Sequence, residues 1–302
     1  MSDCYLDHIG SALGARRPIT ALAPAIAPDV LADLCAEGLQ SYCEAGISAA
    51  ELATAALEES LERAQLSPDD LDLIIYGSVD ALAEEPGFVE LWGSLRAAYR
   101  VPVMAVGFGN CSNLSHGIRL GRALLAQEDL RRVAVVVSDR VATDPARLGP
   151  FDGAILSDGA ASVLLSAREA SGWRVLATRH SMDHGVRVYW HAGELTRTVV
   201  QTARRVRDLV STCLEDAGLA VEDMDAVVGV NMRPSRVKAL LQTSGLDATK
   251  LRNPTLAANS HVFAADALLN LSALEDTDAD ARHVLMLNLG PSNWGATIVQ
   301  RL

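Results

Sequence analysis

The chain has 302 residues, 49% hydrophobic, 4% aromatic and 21% charged, with a net charge of −12. That length can bury a large core as two domains or one extended α/β unit. The acidic balance excludes general nucleic-acid binding, which needs a basic surface to displace counterions, and with no uncharged apolar run of about 18 residues no membrane span is expected.

The start, MSDCYLDHIG, lacks the basic and apolar regions of a secretory signal. Five scattered cysteines (Cys4, Cys35, Cys43, Cys111, Cys213), with no C-x-x-C pair, fit a reducing cytoplasm better than a disulfide framework or a zinc ribbon.

In chain order, the pattern predicts a helix over 49–64 and strands at Leu73–Tyr76 and Val101–Val106. A helix over 114–127 and strands at Val133–Val137 and Ala161–Leu165 follow. The second half repeats the alternation: a helix over 197–217, a strand at Ala226–Val230, helices over 234–244 and 262–274, and strands at Val284–Leu289 and Ala296–Val299. Apolar runs with little alternation read as strands covered on both faces, and strands interleaved with helices indicate an α/β fold. The stretches 140–153 and 178–196 are the least regular. Connections of that length are uncommon unless they line a site or an interface.

The halves echo each other. AQLSPDDLDLIIYG (64–77) resembles AGLAVEDMDAVVGV (217–230) at an offset of 153 residues, and RRVAVVVSD (131–139) resembles RHVLMLNLG (282–290) at 151. DGAASVLLS (158–166) has a looser partner in WGATIVQRL (294–302). Three echoes in one order predict a duplicated unit, with halves 1–168 and 169–302. The period is too long for a solenoid.

Between the strand ending at Val106 and the helix from Leu114 stands GFGNCSNLSHG. A cysteine at such a turn lies near unpaired N–H groups and the positive end of a helix, which favour the thiolate and can stabilise an oxyanion. Position alone leaves Cys111 open to packing as well as to nucleophilic use. The stretch is no phosphate loop, since it lacks GxxxxGK[ST] and the distant acid of a dinucleotide site. In HSMDHGVRVYWH, His180, His184 and His191 would need a helix to share a face. Gly185 and the alternating VRVYW predict loop then strand, so no metal site is expected.

LATAALEESLERAQLSPDDLDLIIYGS, CSNLSHGIRLGRALLAQEDLRRVAVVVSD, LSDGAASVLL and LGPSNWGATIVQ together resemble the thiolase superfamily, in its β-ketoacyl-acyl-carrier-protein synthase III branch. The likeness spans nearly the whole chain. Ser157 and Pro291 stand where that family has glycine. The resemblance implies a thiolase fold: duplicated βαβαβαββ units in five αβαβα layers, in a homodimer. It implies an acyltransferase in which Cys111 takes an acyl group from an acyl-CoA or acyl-carrier-protein thioester, with no permanently bound cofactor. The backbone N–H groups of Cys111 and Gly290 would form the oxyanion hole.

The family's second-step His and Asn raise a difficulty. In NMRPSRV, Asn231 stands where the His belongs. Placed without a gap, the Asn position falls on His261 in ANSHVFAADALL. The expectation is therefore an exchanged pair, Asn231 and His261, around Cys111. A gapped placement would use Asn259 instead. Asp266 could orient His261, although a solvated acid on a helix face is the simpler expectation for it. His116, five residues after Cys111, is expected to pack or line a tunnel.

A lone His beside a Cys thioester suits general-base activation of an O–H or N–H acceptor. The favoured reading is thus acyl transfer to a small molecule. Carbon–carbon condensation is the alternative, and a non-catalytic ketosynthase-like subunit the second alternative. Arg233, Arg236 and Lys238 could receive a carrier protein or coenzyme A phosphate, whereas the run Arg197, Arg204, Arg205, Arg207 reads more simply as a solvated face. The family's segment for the coenzyme A entrance is absent or shortened between Pro24 and Ile47, which makes a carrier protein as plausible a donor.

Overall fold

The computed structural model describes residues 3–79, 101–127, 129–149, 152–168 and 171–302. Glu128 of the quoted nucleophile segment, and Pro150 and Phe151 of the irregular stretch, lie outside the described residues. The chain opens with β1 (Tyr5–Leu13), then β2 (Ala15–Pro18), α1 (Pro28–Ala36) and β3 (Ser41–Glu44). None of these was anticipated from periodicity. α1 and β3 occupy the stretch in which the coenzyme A entrance segment was expected to be short.

α2 (Ala49–Ala64) begins where a capping box requires it. Ser48 Oγ accepts from Glu51 N at 3.2 Å, and the Glu51 carboxylate accepts from Ser48 N at 2.8 Å. There follow β4 (Leu73–Gly77), β5 (Val103–Val106), α3 (Asn113–Gln127), β6 (Arg132–Asp139) and β7 (Gly159–Ser166). The second half runs β8 (Trp173–Met182), α4 (His184–His191), α5 (Leu195–Ala217), β9 (Ala226–Gly229), α6 (Pro234–Thr243), α7 (Leu256–Asn259), α8 (Asp266–Thr277), β10 (His283–Leu289) and β11 (Asn293–Arg301).

Among the described residues, nine strands form one sheet in the order β5-β4-β6-β7-β1-β8-β11-β10-β9. The order reads alike from both ends, with β1 and β8 paired antiparallel at the centre through Tyr5–Arg174 and Leu6–Trp173. The place of β5 is taken in the second half by Leu251, which bridges β9 at Val227.

The echoes recur as geometry. α2 and α5 both end on a left-handed residue, Gln65 and Gly218. Asp72 accepts from the N–H groups of Arg131 and Arg132, while Asp225 accepts from those of Arg282 and His283. The two acids cap the starts of β6 and β10.

α3 and α8 pack between the two halves of the sheet, with α2 on one outer face and α5 on the other. This is the five-layer α/β arrangement that the resemblance implies. Val284, Met286, Leu114, Ile118, Val135, Val163 and Leu268 meet in the central core.

At Gly10 the outer layer approaches closely. A Cβ there would lie 2.2 Å from Ala56 O and 2.6 Å from Ser60 N, both backbone atoms of α2. Gly10→Ala should therefore lose about 3 kcal/mol of stability through overpacking, read as a lower urea midpoint at unchanged slope. An unchanged midpoint would mean that α2 can shift away at no cost.

Three expectations need correction. The 178–196 stretch is not irregular: it is the end of β8, then α4 and the start of α5. VRVYW forms a helix rather than a strand, because Asp183 caps it by accepting from Gly185 N at 2.9 Å. The histidines have separate partners, His180 of β8 meeting Arg119 at 2.9 Å and His191 of α4 meeting Arg187 at 3.4 Å. The helix expected over 262–274 starts only at Asp266, after a 3-10 turn at Phe263–Ala265. No helix among the described residues is long and apolar enough to cross a membrane.

Candidate active site

Cys111 sits in a 3-10 turn, Asn110–Ser112, at the N-terminal end of α3. The turn is tight. Phe108 and Asn110 take positive φ, 61° and 49°, and a Cβ on Gly109 would meet Asn113 Oδ1 at 2.6 Å and the His116 ring at 2.8 Å, so a larger residue would push both side chains aside. Gly109 N donates to Asn113 Oδ1 at 3.0 Å, Asn113 Nδ2 to Ser78 O at 3.0 Å, and Ser112 Oγ to Gly109 O at 2.6 Å. These bonds lock the turn beneath a thiol that is only 6% exposed.

Across from it, Cys111 Sγ lies 3.4 Å from His261 Nε2. The other ring nitrogen, Nδ1, bonds Asp266 Oδ2. His261 is held from behind by a short parallel bridge: Ser157 N donates to His261 O at 2.8 Å, and His261 N to Ile155 O at 2.9 Å. Ser157, at the family's glycine position, also donates to Asn259 O at 2.5 Å and accepts from Cys43 N at 3.0 Å. Its hydroxyl thereby ties β3 to the loop that carries His261.

Asp266 is fully buried. The expectation of a solvated acid is overturned, because α8 enters the central layer with Ala267, Leu268, Leu269 and Leu271 buried around it. Its carboxylate also accepts from Asn231 N and Val262 N, both at 2.7 Å, and from Asn231 Nδ2 at 3.3 Å. Three further donors hold its orientation.

Burial works against a charged His261. The Asp266 carboxylate and the Cys111 sulfur on either side outweigh it and hold the imidazole well above its ordinary range.

Asn231, the expected partner of His261, bonds the Asp266 carboxylate that holds the imidazole. It is fully buried and turned inward. Its Nδ2 donates to Thr255 Oγ1 at 3.0 Å and Ser260 O at 2.9 Å, while its Oδ1 accepts from Asn270 Nδ2 at 3.0 Å. Both ends of the amide are thus engaged behind Asp266. Asn259, the gapped alternative, accepts from Arg16 through its Oδ1 at 3.3 Å.

Gly290 also departs from expectation. Its N–H donates to Asn293 O at 2.8 Å and closes the β10–β11 hairpin, so it is not directed at an incoming oxygen. The next residue, Pro291, has no N–H to offer.

His116 packs under the nucleophile turn, edge-on to His180 with ring centroids 4.3 Å apart, and burial pushes its pKa down to about 4. The basic trio at the start of α6 divides. Arg233 is mostly buried, 3.7 Å from Glu37, whereas Arg236 and Lys238 are exposed. Arg197 pairs with Glu194, and Arg205 with Asp183.

Asp266 is named from sequence as a possible orienter of His261, whereas Asn270, Thr255 and Ser157 are not picked out as the frame of the site. The available signal was an acid and an amide, Asp266 and Asn270, inside the otherwise apolar run ADALLNLSAL, which has no solvated face to put them on.

Comparison with known proteins follows this geometry. No family model matches the chain. It is 23% identical over 265 residues to the β-ketoacyl-[acyl-carrier-protein] synthase III of Listeria innocua, covering 83% of this chain and 82% of that one. Among solved structures, it superposes on ChlB3, described as an acyltransferase, with TM-score 0.84 at 21% identity over 99% and 98% of the two chains. The 3-oxoacyl-[acyl-carrier-protein] synthase III of Aquifex aeolicus VF5 gives TM-score 0.77 at 19% identity over 98% and 99%. Along most of its length the chain is similar to ketosynthase III proteins, and it shares their fold. In this ketosynthase III-like chain the likeness accounts for the duplicated sheet and the central pair of helices. The Cys111–His261–Asp266 line and the inward Asn231 are read from the chain's own geometry.

Proposed function

We propose that the chain is an acyltransferase that carries an acyl group on Cys111 and delivers it to an oxygen or nitrogen of a small molecule. The observation carrying this reading is the line from Cys111 Sγ to His261 Nε2 at 3.4 Å and from His261 Nδ1 to a buried carboxylate. Such an alignment orients the imidazole and stabilises its protonated form, which general acid–base acyl transfer requires. Decarboxylative condensation instead uses two neutral donors on a thioester carbonyl, whereas both ends of the Asn231 amide are already engaged.

His261 takes the thiol proton and Cys111 attacks the thioester carbon, so that its π pair moves onto oxygen. Collapse expels the donor thiolate, which receives the proton from His261. An acceptor O–H or N–H then loses its proton to His261 and attacks the acyl carbon. The Cys111 thiolate leaves and is reprotonated.

The donor is an acyl-CoA or an acyl-carrier-protein thioester, and no permanently bound cofactor is needed. The exposed Arg236 and Lys238 on α6 would meet its phosphate or the carrier, with Arg233 held behind them by Glu37. The chain would work as a cytoplasmic homodimer, its halves 1–168 and 169–302 supplying nucleophile and base respectively.

Intact mass spectrometry tests the proposal. Incubation with acyl-CoA, or with acyl carrier protein, should add one acyl mass that Cys111→Ala abolishes. No adduct from either donor would sink the enzymatic reading and leave a non-catalytic subunit. The relatives named synthase III favour condensation as the second reading. Stoichiometric CO2 release from a malonyl thioester offered to the acylated chain would establish that reading over transfer.

A further inference from the structure

We propose that Asn288 is a further catalytic residue: its side-chain amide donates to the oxyanion that forms when Cys111 attacks a thioester. This rests on the acyl-carrier reading of Cys111 above.

β10 places the residue. Val284 and Met286 face the central helices, and the pleat puts Asn288 and Gly290 on the same side at the strand's C-terminal end. That end abuts the nucleophile turn, since a Cβ on Gly290 would lie 3.1 Å from Asn110 Cβ. Ser115, one helical turn beyond Cys111, donates from Oγ to Asn288 Oδ1 at 3.1 Å. The serine thereby fixes the amide and leaves its NH2 directed elsewhere.

That NH2 is the anomaly. Asn288 is 1% exposed, and among the described residues its Nδ2 has no hydrogen-bond partner. A buried donor left unmade costs stability in the resting chain, and a ligand oxygen would satisfy it. The vacancy coincides with a need. Gly290 N–H is committed to Asn293 O, and Pro291 has no N–H.

In the step proposed, the Sγ–C bond forms, the carbonyl π pair becomes the oxyanion lone pair, and Nδ2–H donates to it. The bond weakens as collapse restores the carbonyl and expels the donor thiolate. No redox partner or additional proton is required.

Two reactions of Cys111 test this. Acylation by acyl-CoA passes through an oxyanion, whereas alkylation by iodoacetamide is a displacement at carbon that forms none. Both rates are read by acid quench and intact mass. Asn288→Ala should slow acylation by about 10²–10³-fold, the usual loss for one oxyanion donor, while alkylation stays at the wild-type rate. Asn288→Asp, of the same shape but with an acceptor in place of the donor, should lose at least as much. Wild-type acylation by Asn288→Ala would overturn the proposal, as would acylation and alkylation falling together. A wild-type chain that takes up no acyl group would sink the carrier reading of Cys111 as well.

Discussion

Asp266→Asn is expected to lower turnover by roughly 10³–10⁴-fold, in line with replacing the buried acid of an acyl-transfer triad. The carboxylate accepts from His261 Nδ1, from the N–H groups of Asn231 and Val262, and from Asn231 Nδ2. An asparagine can keep some of those bonds through its single oxygen, but it turns an NH2 toward others. Against His261 Nδ1 that NH2 enforces the tautomer with the proton on Nε2, facing Cys111 Sγ. The ring can then no longer accept a proton from the sulfur or from an acceptor. Steady-state turnover with acyl-CoA and an O- or N-nucleophile measures the effect, and circular dichroism checks that the variant is folded. A folded Asp266→Asn variant with turnover within tenfold of wild type would show that Asp266 is only packing.

His261→Ala should reduce turnover by about 10⁴-fold, the upper end of general acid–base contributions, and yet leave the acyl adduct. Acylation proceeds slowly because a thioester carries a good leaving group, whereas release to an acceptor has lost its base. Intact mass should therefore show Cys111 still acylated hours after wild type has discharged. Unchanged turnover would move the role of base to another residue.

The same variant carries a pH signature. In the folded chain the His261 pKa lies well above the ordinary 6.5 because Asp266 and Cys111 outweigh burial. A raised folded pKa means that the native state holds a proton which the unfolded chain releases near pH 6.5. The stabilisation is fully present below about that pH and is lost as pH rises through the higher folded value, with a limiting slope of about 1.4 kcal/mol per pH unit. Urea midpoints should show wild type losing more stability than His261→Ala between pH 6.5 and 9. Parallel decline of the two would show that the imidazole is neutral in the native chain.

Much of the fold was legible because it is written in local periodicity. The apolar runs of β4, β6, β7 and β10 were evident because both faces of those strands are covered, and α2 matched at both ends because Ser48 and Glu51 form a capping box. The duplication was legible because paired chemistry recurs at a fixed offset: Asp72 and Asp225 cap the starts of equivalent strands. α4 was not, because VRVYW alternates like a strand, and only the Asp183 cap and the packing against α5 make it helical. β1 and β8 escaped because their polar alternation looks like surface until the two halves pair.

The site divides the same way. A cysteine between an apolar strand and a helix can be recognised from the chain alone, since both elements and their junction are local. His261 could be placed near it through the resemblance, but not its partner. Asp266 lies only five residues on, and the one local signal that it is driven into the central layer is the apolar run ADALLNLSAL around it. That outcome depends on α8 packing between the two halves of the sheet, a contact between segments far apart in the chain. The same long-range packing fixed Asn231, because Thr255, Ser260 and Asn270 engage both ends of its amide. Local sequence set the elements and the nucleophile's position. The pairing of charges and hydrogen bonds around Cys111 was set by which buried groups the assembled layers left without water.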